Sequence, residues 1–151
     1  MASPHEIAYG DRMTDPLTKP VTADEKEILA LVERWSQAVR NGDRAGIREQ
    51  HDADILMFDV PPPFSSRGID DYMATWETFF ASAETPVMFH FTDVEITAGS
   101  DVAFVTAIGH RVDIDKAGQC EPHDFRLTMG LRKSDDGRWI ITYEHHSLPA
   151  V

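Results

Sequence analysis

Three ionisable side chains, Glu144, His145 and His146, follow one another at the end of the last apolar run of the chain. The run is typical of a β-strand, in which side chains alternate between the two faces. Glu144 and His146 therefore share a face and can meet, while His145 points the other way, toward a predicted subunit interface. A histidine oriented by a carboxylate is a common acid–base pair, so Glu144 and His146 are candidate catalytic residues. The alternative is a structural hydrogen bond that satisfies two buried polar groups.

Asp59 is the third candidate catalytic residue. It stands near the end of a short β-prone run from Ile55 to Val60 and just before Pro61-Pro62-Pro63. Prolines cannot donate ladder hydrogen bonds, so the strand has to end here. A carboxylate partly shielded from water can abstract a proton, which makes Asp59 a candidate general base. The alternative is an ordinary aspartate that caps the loop or lies in solvent.

The histidines are possible metal ligands, and the single cysteine is a possible nucleophile. A metal site would need several of the histidines at 51, 90, 110, 123, 145 and 146 to converge. The adjacent His145 and His146 diverge on a strand, and the chain has no His-Glu-x-x-His or paired-cysteine spacing. Cys120 lies beside a predicted turn, with no base that could orient it. We therefore predict no metal and no other cofactor.

Composition limits the kinds of partner that the chain can have. The chain has 151 residues and a formal net charge of −12, without a Lys/Arg cluster, which argues against nucleic acid and anionic membranes. No apolar run is long enough to span a membrane, and the N-terminus lacks the apolar core of a signal peptide. One cysteine excludes an internal disulfide and fits a reducing compartment. We expect a soluble cytoplasmic protein.

The first half of the chain predicts three helices. Residues 1–21 contain three prolines and little periodicity, which predicts an irregular N-terminal arm. Thr22 and Glu25 have the spacing of a capping box, and an apolar stripe follows as far as Asn41-Gly42, a helix stop. Asp43 can cap a short second helix through about His51. The third helix follows Gly68 and carries a large aromatic stripe of Tyr72, Trp76, Phe79 and Phe80 with Ile69 and Met73.

The second half predicts a four-stranded antiparallel meander. Long β-prone runs separated by short turns occupy Val87–Thr97, Val102–Asp115, Cys120–Lys133 and Arg138–Ser147. Helices first and strands afterwards indicate an α+β fold in which the helices cover one face of the sheet. We expect one domain over residues 22–151.

Three stretches resemble the nuclear transport factor 2-like superfamily, the cone-shaped α+β fold shared by ketosteroid isomerase and SnoaL-like polyketide cyclases. Trp35 to Asp43 resembles its first helix and turn, and His51-Asp52-Ala53-Asp54 through Asp59 resembles its Asp-rich first strand. Trp139 through His145-His146-Ser147 resembles the terminal strand of the kinase association-domain branch. The resemblance implies a curved, mixed but mainly antiparallel sheet with one largely apolar pocket on its concave side.

The same resemblance implies roles for individual residues. Asp59 matches the general base of ketosteroid isomerase, whereas Trp35 and Met129 fall where that enzyme has its oxyanion-stabilising Tyr and protonated Asp. Steroid isomerisation by that mechanism is therefore not expected. The strand from Val102 is expected to turn Phe104, Thr106, Ile108 and His110 inward. The predicted ligand-binding residues are Trp35, Tyr72, Trp76, His110, Leu127, Met129 and Thr142.

Two classes of function follow. The first is binding of a small hydrophobic molecule, with cofactor-free proton transfer in an isomerase, cyclase or dehydratase if the site is catalytic. The second is a non-catalytic ligand-binding or oligomerisation module that resembles a kinase association domain. The convex face of the sheet is unusually apolar for a monomer, which predicts a homodimer.

Overall fold

The computed structural model describes residues 21–83, 87–114 and 117–150. The predicted N-terminal arm lies outside these residues except for Val21, which packs against the core. The elements in chain order are α1 (Ala23–Asn41), α2 (Arg44–Arg48), β1 (His51–Phe58), β2 (Ser66–Arg67), α3 (Ile69–Ser82), β3 (Met88–Ala98), β4 (Val102–Ile114), β5 (Cys120–Lys133) and β6 (Trp139–Ser147). Within the described ranges, every helix is too short or too polar to cross a membrane.

Helix α1 forms as its sequence signals predict. The Thr22 hydroxyl accepts a hydrogen bond from the amide of Glu25 at 3.1 Å, and Gly42 ends the helix in the left-handed conformation at φ 64°. The predicted apolar stripe is buried from Ile28 to Val39. Burial of this stripe attaches the helix to the concave face of the sheet, since a helix of this kind is stabilised mainly by packing.

The sheet confirms the predicted α+β fold. Its six strands lie in the order β2-β1-β6-β5-β4-β3, and β3 to β6 form the antiparallel meander. Strand β1 runs parallel to β6, with Phe58 opposite His145. Asp59 directly follows the end of β1 and His146 is the next residue of β6, so this parallel pairing puts the two candidate residues side by side.

The predicted boundary between the second helix and the first strand is wrong. Helix α2 ends at Arg48, and β1 begins at His51 instead of Ile55. Glu49 already has an extended backbone, with φ −60° and ψ 138°, and Gln50 follows with a positive φ of 61°, so the helix cannot continue to His51. The Gln50 carbonyl accepts a hydrogen bond from the amide of Ile141 at 2.8 Å, so pairing with β6 overrides the local helical signal.

A β-bulge in β6 makes the predicted face alternation wrong at the start of that strand. Leu131 pairs with Ile141, but the preceding Gly130 pairs with Tyr143, so Thr142 is an additional residue. Trp139 and Ile141 are buried on the concave side together with Glu144. The Thr142 hydroxyl donates to the Gly130 carbonyl at 3.2 Å.

The predicted inward face of β4 is also wrong. Val105 is 0% exposed and Phe104 is 51% exposed, so Phe104, Thr106, Ile108 and His110 face away from the helices. The inward residues are the small ones, Ala103, Val105, Ala107 and Gly109. Aromatic rings from β3 and β5 already fill the space in front of β4: a Cβ at Gly109 would come within 2.2 Å of the Phe125 ring.

Candidate functional site

A cavity of about 720 Å³ opens where β1, β4 and β6 end and β5 begins. Its apolar wall consists mainly of aromatic rings, Trp76 and Phe79 from α3, Phe89 from β3 and Phe125 from β5. Asp59 and His146 form one polar corner. An apolar cavity with a few converging polar groups is the usual design of a small-molecule site.

Four of the predicted ligand-binding residues lie behind this cavity. Trp35, Tyr72, Leu127 and Met129 are at most 2% exposed and belong to the core. Trp35 stacks on Phe91 with a centroid distance of 5.5 Å, so rings fill the narrow end of the cone. Of the predicted ligand-binding residues, Trp76 lines the cavity, whereas Thr142 does not.

Glu144 is the centre of a buried hydrogen-bond network. Its side chain is 0% exposed. The Tyr72 hydroxyl donates to Oε1 at 2.9 Å, and His51 Nε2 lies 2.7 Å from the same oxygen. His146 Nε2 lies 3.1 Å from Oε2. An ionised carboxylate only accepts hydrogen bonds, so all three neighbours act as donors to it.

The network sets the charge of Glu144. Burial is the largest influence and would raise its pKa, but the hydrogen bonds from His146 and His51, together with the electrostatic attraction of the nearby imidazoles, lower the pKa to about 2. Glu144 is therefore ionised at neutral pH. Burial, and then the Glu144 charge, raise the pKa of Tyr72 well above its ordinary value, which keeps the phenol a neutral donor. The indole N–H groups of Trp35 and Trp76 oppose this rise, although neither makes a hydrogen bond of normal geometry.

His146 lies between Glu144 and the cavity. Its Nδ1 is 3.7 Å from Asp59 Oδ1, a separation longer than a hydrogen bond. The Phe125 ring stacks on the imidazole at a centroid distance of 5.3 Å. Because Nε2 donates its hydrogen to Glu144, Nδ1 is the nitrogen that faces Asp59 and can exchange protons.

Asp59 caps the proline loop, as the structural alternative expects, and it also lines the cavity, so its role as a general base stays a prediction. Its Oδ1 accepts a hydrogen bond from the amide of Val60 at 2.8 Å, which caps the start of the proline loop. The carboxylate also lines the cavity, and its side chain is 24% exposed. Capping fixes the carboxylate in place without removing it from the site.

His51 is the functional residue that sequence reasoning missed. The sequence offers it only as a possible metal ligand and places it at the end of the second helix. Its ring is fully buried against Glu144. Extending the predicted strand back from Met57 and Ile55 in steps of two residues reaches His51 on the same face, which is the signal that could have found it.

The far rim of the cavity is polar. Arg111 Nη2 and His123 Nε2 each lie 3.4 Å from Asp113 Oδ2, and Glu121 stands beside His123. The Arg111 guanidinium also lies 5.5 Å from the centre of the Phe79 ring. With Asp59 at the opposite corner, the described lining residues include three carboxylates and one guanidinium.

His110 lies on the opposite face of the sheet from the cavity. Its Nε2 is 2.7 Å from Thr92 Oγ1, its Nδ1 is 2.8 Å from Asp124 Oδ1, and its ring stacks on His90. These contacts form a cross-strand network on the outer surface. Across the part of the chain that the structure describes, no group of three or more His, Cys, Asp or Glu side chains is arranged to hold a metal ion.

Replacing Glu144 with Gln should destabilise the protein by about 3–5 kcal/mol, since it removes the negative charge from a buried network in which Tyr72, His51 and His146 donate to this side chain. Because the folded-state pKa of Glu144 lies below its ordinary value of 4.5, the ionised carboxylate stabilises the fold above about pH 4.5. The difference in free energy of unfolding between the wild-type protein and E144Q should therefore disappear as the pH falls toward about 2. Urea denaturation of both proteins across this range measures it, with Glu95→Gln on the exposed surface as the control. If the difference in free energy of unfolding between the two proteins stays constant with pH, Glu144 is not ionised in the folded protein.

Comparisons with known proteins agree with this architecture. Residues 28–151 match the sequence model of the SnoaL-like domain. A nuclear transport factor 2-like protein of unknown function from Pseudomonas putida KT2440 is 33% identical, with 84% of this chain and 87% of that chain covered and a TM-score of 0.75. No curated protein shows a significant match.

Two more distant structures share the fold at 19% identity. One is a ketosteroid isomerase-like protein from Erwinia carotovora atroseptica, with a TM-score of 0.72 and coverage of 86% and 99% of the two chains. The other is a putative calcium/calmodulin-dependent protein kinase II association domain from Xanthomonas campestris, with a TM-score of 0.72 and coverage of 91% and 96%. With most of its length matched by the domain model, the chain belongs to the SnoaL-like domain family and has the nuclear transport factor 2-like fold.

Proposed function

We propose that the cavity binds a small, largely apolar molecule and that Asp59 and His146 move a proton on it without a cofactor. The reaction would be an isomerisation, cyclisation or dehydration. One observation carries the proposal: His146 Nδ1 and Asp59 Oδ1 lie 3.7 Å apart at the polar corner of the cavity, and the other nitrogen of His146 is held by a buried, ionised carboxylate. A histidine held in this way is suited to proton transfer.

Each residue has a distinct part in the proposed reaction. Asp59 takes a proton from a carbon atom of the ligand. The proton passes to His146 Nδ1, which gives it to a second atom, either a carbon in an isomerisation or a departing hydroxyl in a dehydration. Glu144 touches no ligand and orients the imidazole, as a carboxylate does in the Ser-His-Asp arrangement.

The strand pairing predicts the stereochemistry. Asp59 and His146 follow directly opposed residues of two parallel neighbouring strands, and both project into the same cavity. They would therefore reach the ligand from the same side. The proton should be removed and delivered on one face, as a suprafacial shift or a syn elimination.

The ligand's body would lie against the aromatic wall. Trp76, Phe79, Phe89 and Phe125 offer flat apolar surfaces, and the polar groups of the rim stand at the far end from His146. The likeness to the ketosteroid isomerase-like protein from Erwinia carotovora atroseptica favours proton-transfer chemistry on this scaffold. Trp35 and Met129 are buried behind the cavity, so the oxyanion-stabilising pair of ketosteroid isomerase has no counterpart at those two positions.

Proton abstraction can be tested before the natural substrate is known. Cyclic and aromatic ketones are incubated with the protein in D₂O, and exchange of their α-protons is followed by NMR. The wild-type protein should accelerate exchange stereospecifically for ketones that fit, and Asp59→Asn should slow it by about 10²–10⁴-fold. Asp113→Asn, on the rim of the same cavity, is the matched control and should retain exchange.

Thermal shift separates binding from turnover, because a specific ligand stabilises the native state by mass action. Asp59→Asn should still be stabilised by the ketones that the wild type binds. Binding without any exchange in the wild type would favour the non-catalytic alternative. Absence of both binding and exchange across a broad panel would contradict the proposal.

We also propose that the chain forms a homodimer through the outer face of its sheet. Met88, Val102 and Phe104 on this face are 53%, 63% and 51% exposed, an apolar surface that a second copy would cover. The likeness to an association domain from Xanthomonas campestris favours assembly as a role of this face.

Phe104→Glu should convert the dimer into a monomer, because it would bury a charge in the interface. Light scattering coupled to gel filtration measures the mass. Phe64→Glu, at a residue that is 99% exposed on the proline loop, is the control and should remain dimeric. A wild-type monomer, or a dimeric Phe104→Glu variant, would count against this interface.

A further inference from the structure

We propose that His51 is a positioning residue, a buried imidazolium whose positive charge balances the negative charge of Glu144. His146 is then neutral: its Nε2 hydrogen is donated to Glu144, and the lone pair of His146 Nδ1 is directed toward Asp59. This deepens the proposed function, because it states how the site keeps His146 ready to accept a proton. It concerns protonation states that exist without any ligand, so it can be tested even if the protein catalyses nothing.

Both nitrogens of His51 face groups that only accept hydrogen bonds. Nε2 lies 2.7 Å from Glu144 Oε1, and Nδ1 lies 3.2 Å from the backbone carbonyl oxygen of Glu49. A neutral imidazole carries one N–H and would direct a lone pair at one of these oxygens. The imidazolium has two N–H groups and satisfies both contacts.

The surroundings of His51 fit a single compensated charge. Its side chain is 0% exposed, its ring stacks on neutral Tyr72 at a centroid distance of 4.7 Å, and Trp35 lies 6.3 Å away. The ionised group in contact with it is Glu144, at hydrogen-bonding distance. A buried charge is tolerated when it is paired and hydrogen-bonded, as this one is.

The assignment decides how His146 behaves. Glu144 supplies one negative charge, and two imidazoles donate to it. Asp59 Oδ1 lies 3.7 Å from His146 Nδ1, beyond hydrogen-bonding distance, so unlike the two contacts of His51 this one does not require a hydrogen on the nitrogen. If His51 carries the balancing positive charge, His146 is left neutral, with Phe125 and Trp35 as its other ring neighbours. If His51 were neutral, His146 would be the favoured cation, and a protonated Nδ1 cannot accept a proton.

Tyr72 has a different role in the same network. Its hydroxyl donates to the same oxygen of Glu144 as His51 does, but it contributes no charge. Removing this hydroxyl should take one hydrogen bond from the Glu144 carboxylate without changing which histidine is charged. Tyr72→Phe is therefore a matched control for His51→Phe: each loses one donor to Oε1, and only the histidine variant loses a cation.

Long-range ¹H–¹⁵N NMR of the uniformly labelled protein reports the protonation of each imidazole nitrogen. At neutral pH, wild-type His51 should show two protonated nitrogens and His146 only a protonated Nε2. In His51→Phe, His146 should gain a proton on Nδ1, and the pH at which it gains that proton should move upward. In Tyr72→Phe, His146 should stay neutral.

A wild-type His51 with one bare nitrogen would overturn the inference, as would a wild-type His146 protonated on Nδ1 or a His51→Phe variant with unchanged His146. Circular dichroism first establishes that each variant folds. If His51→Phe does not fold, Glu144→Gln replaces it: His51 should then lose its second proton, and retention of that proton would refute the assignment. Loss of ketone exchange with the predicted NMR states intact would refute the proposed reaction alone.

Discussion

A carboxylate that is fully removed from water imposes the main constraint on this molecule. Glu144 is ionised and 0% exposed, and an isolated buried charge would be far too costly to keep. It is stabilised by donors from three elements: Tyr72 on α3, His51 on β1 and His146 on β6. The charge can be buried only when these elements are correctly placed, so the network couples the helical layer to the sheet at the base of the cavity.

The packing of aromatic rings on the concave face of the sheet determines where the cavity lies. Rings from α1, α3 and β3 fill the narrow end, and the cavity lies toward the ends of β4 and β6. Gly109 lets the Phe125 ring approach the β4 backbone closely, and that ring in turn stacks on His146. A residue without a side chain thus helps to hold the imidazole at the polar corner. The cavity and the charged network share one wall.

The fold could be read from the sequence because its signals are local and periodic, as at the Thr22 cap, the α1 stripe and the turn-separated strands of the meander. The approach of Asp59 and His146 could be expected from strand ends and the family resemblance. The inward face of β4 could not be predicted, because the large Phe104 faces out while the small Ala103 and Ala107 face in. Aromatic rings from the neighbouring strands occupy the space in front of β4, and the sequence of β4 alone does not show this. The bulge at Thr142 and the partnership of His51 with Glu144 depend on register between distant strands.

The most direct test of the account is the ionisation of Glu144 itself. The ¹³C chemical shift of its side-chain carboxyl carbon can be followed in the folded protein as the pH is lowered from neutral. We expect Glu144 to be an ionised carboxylate at neutral pH and to resist protonation until the pH approaches about 2 or the protein unfolds. A carboxyl carbon that titrates at its ordinary value of 4.5 while the fold is intact, or that is protonated at neutral pH, would contradict it.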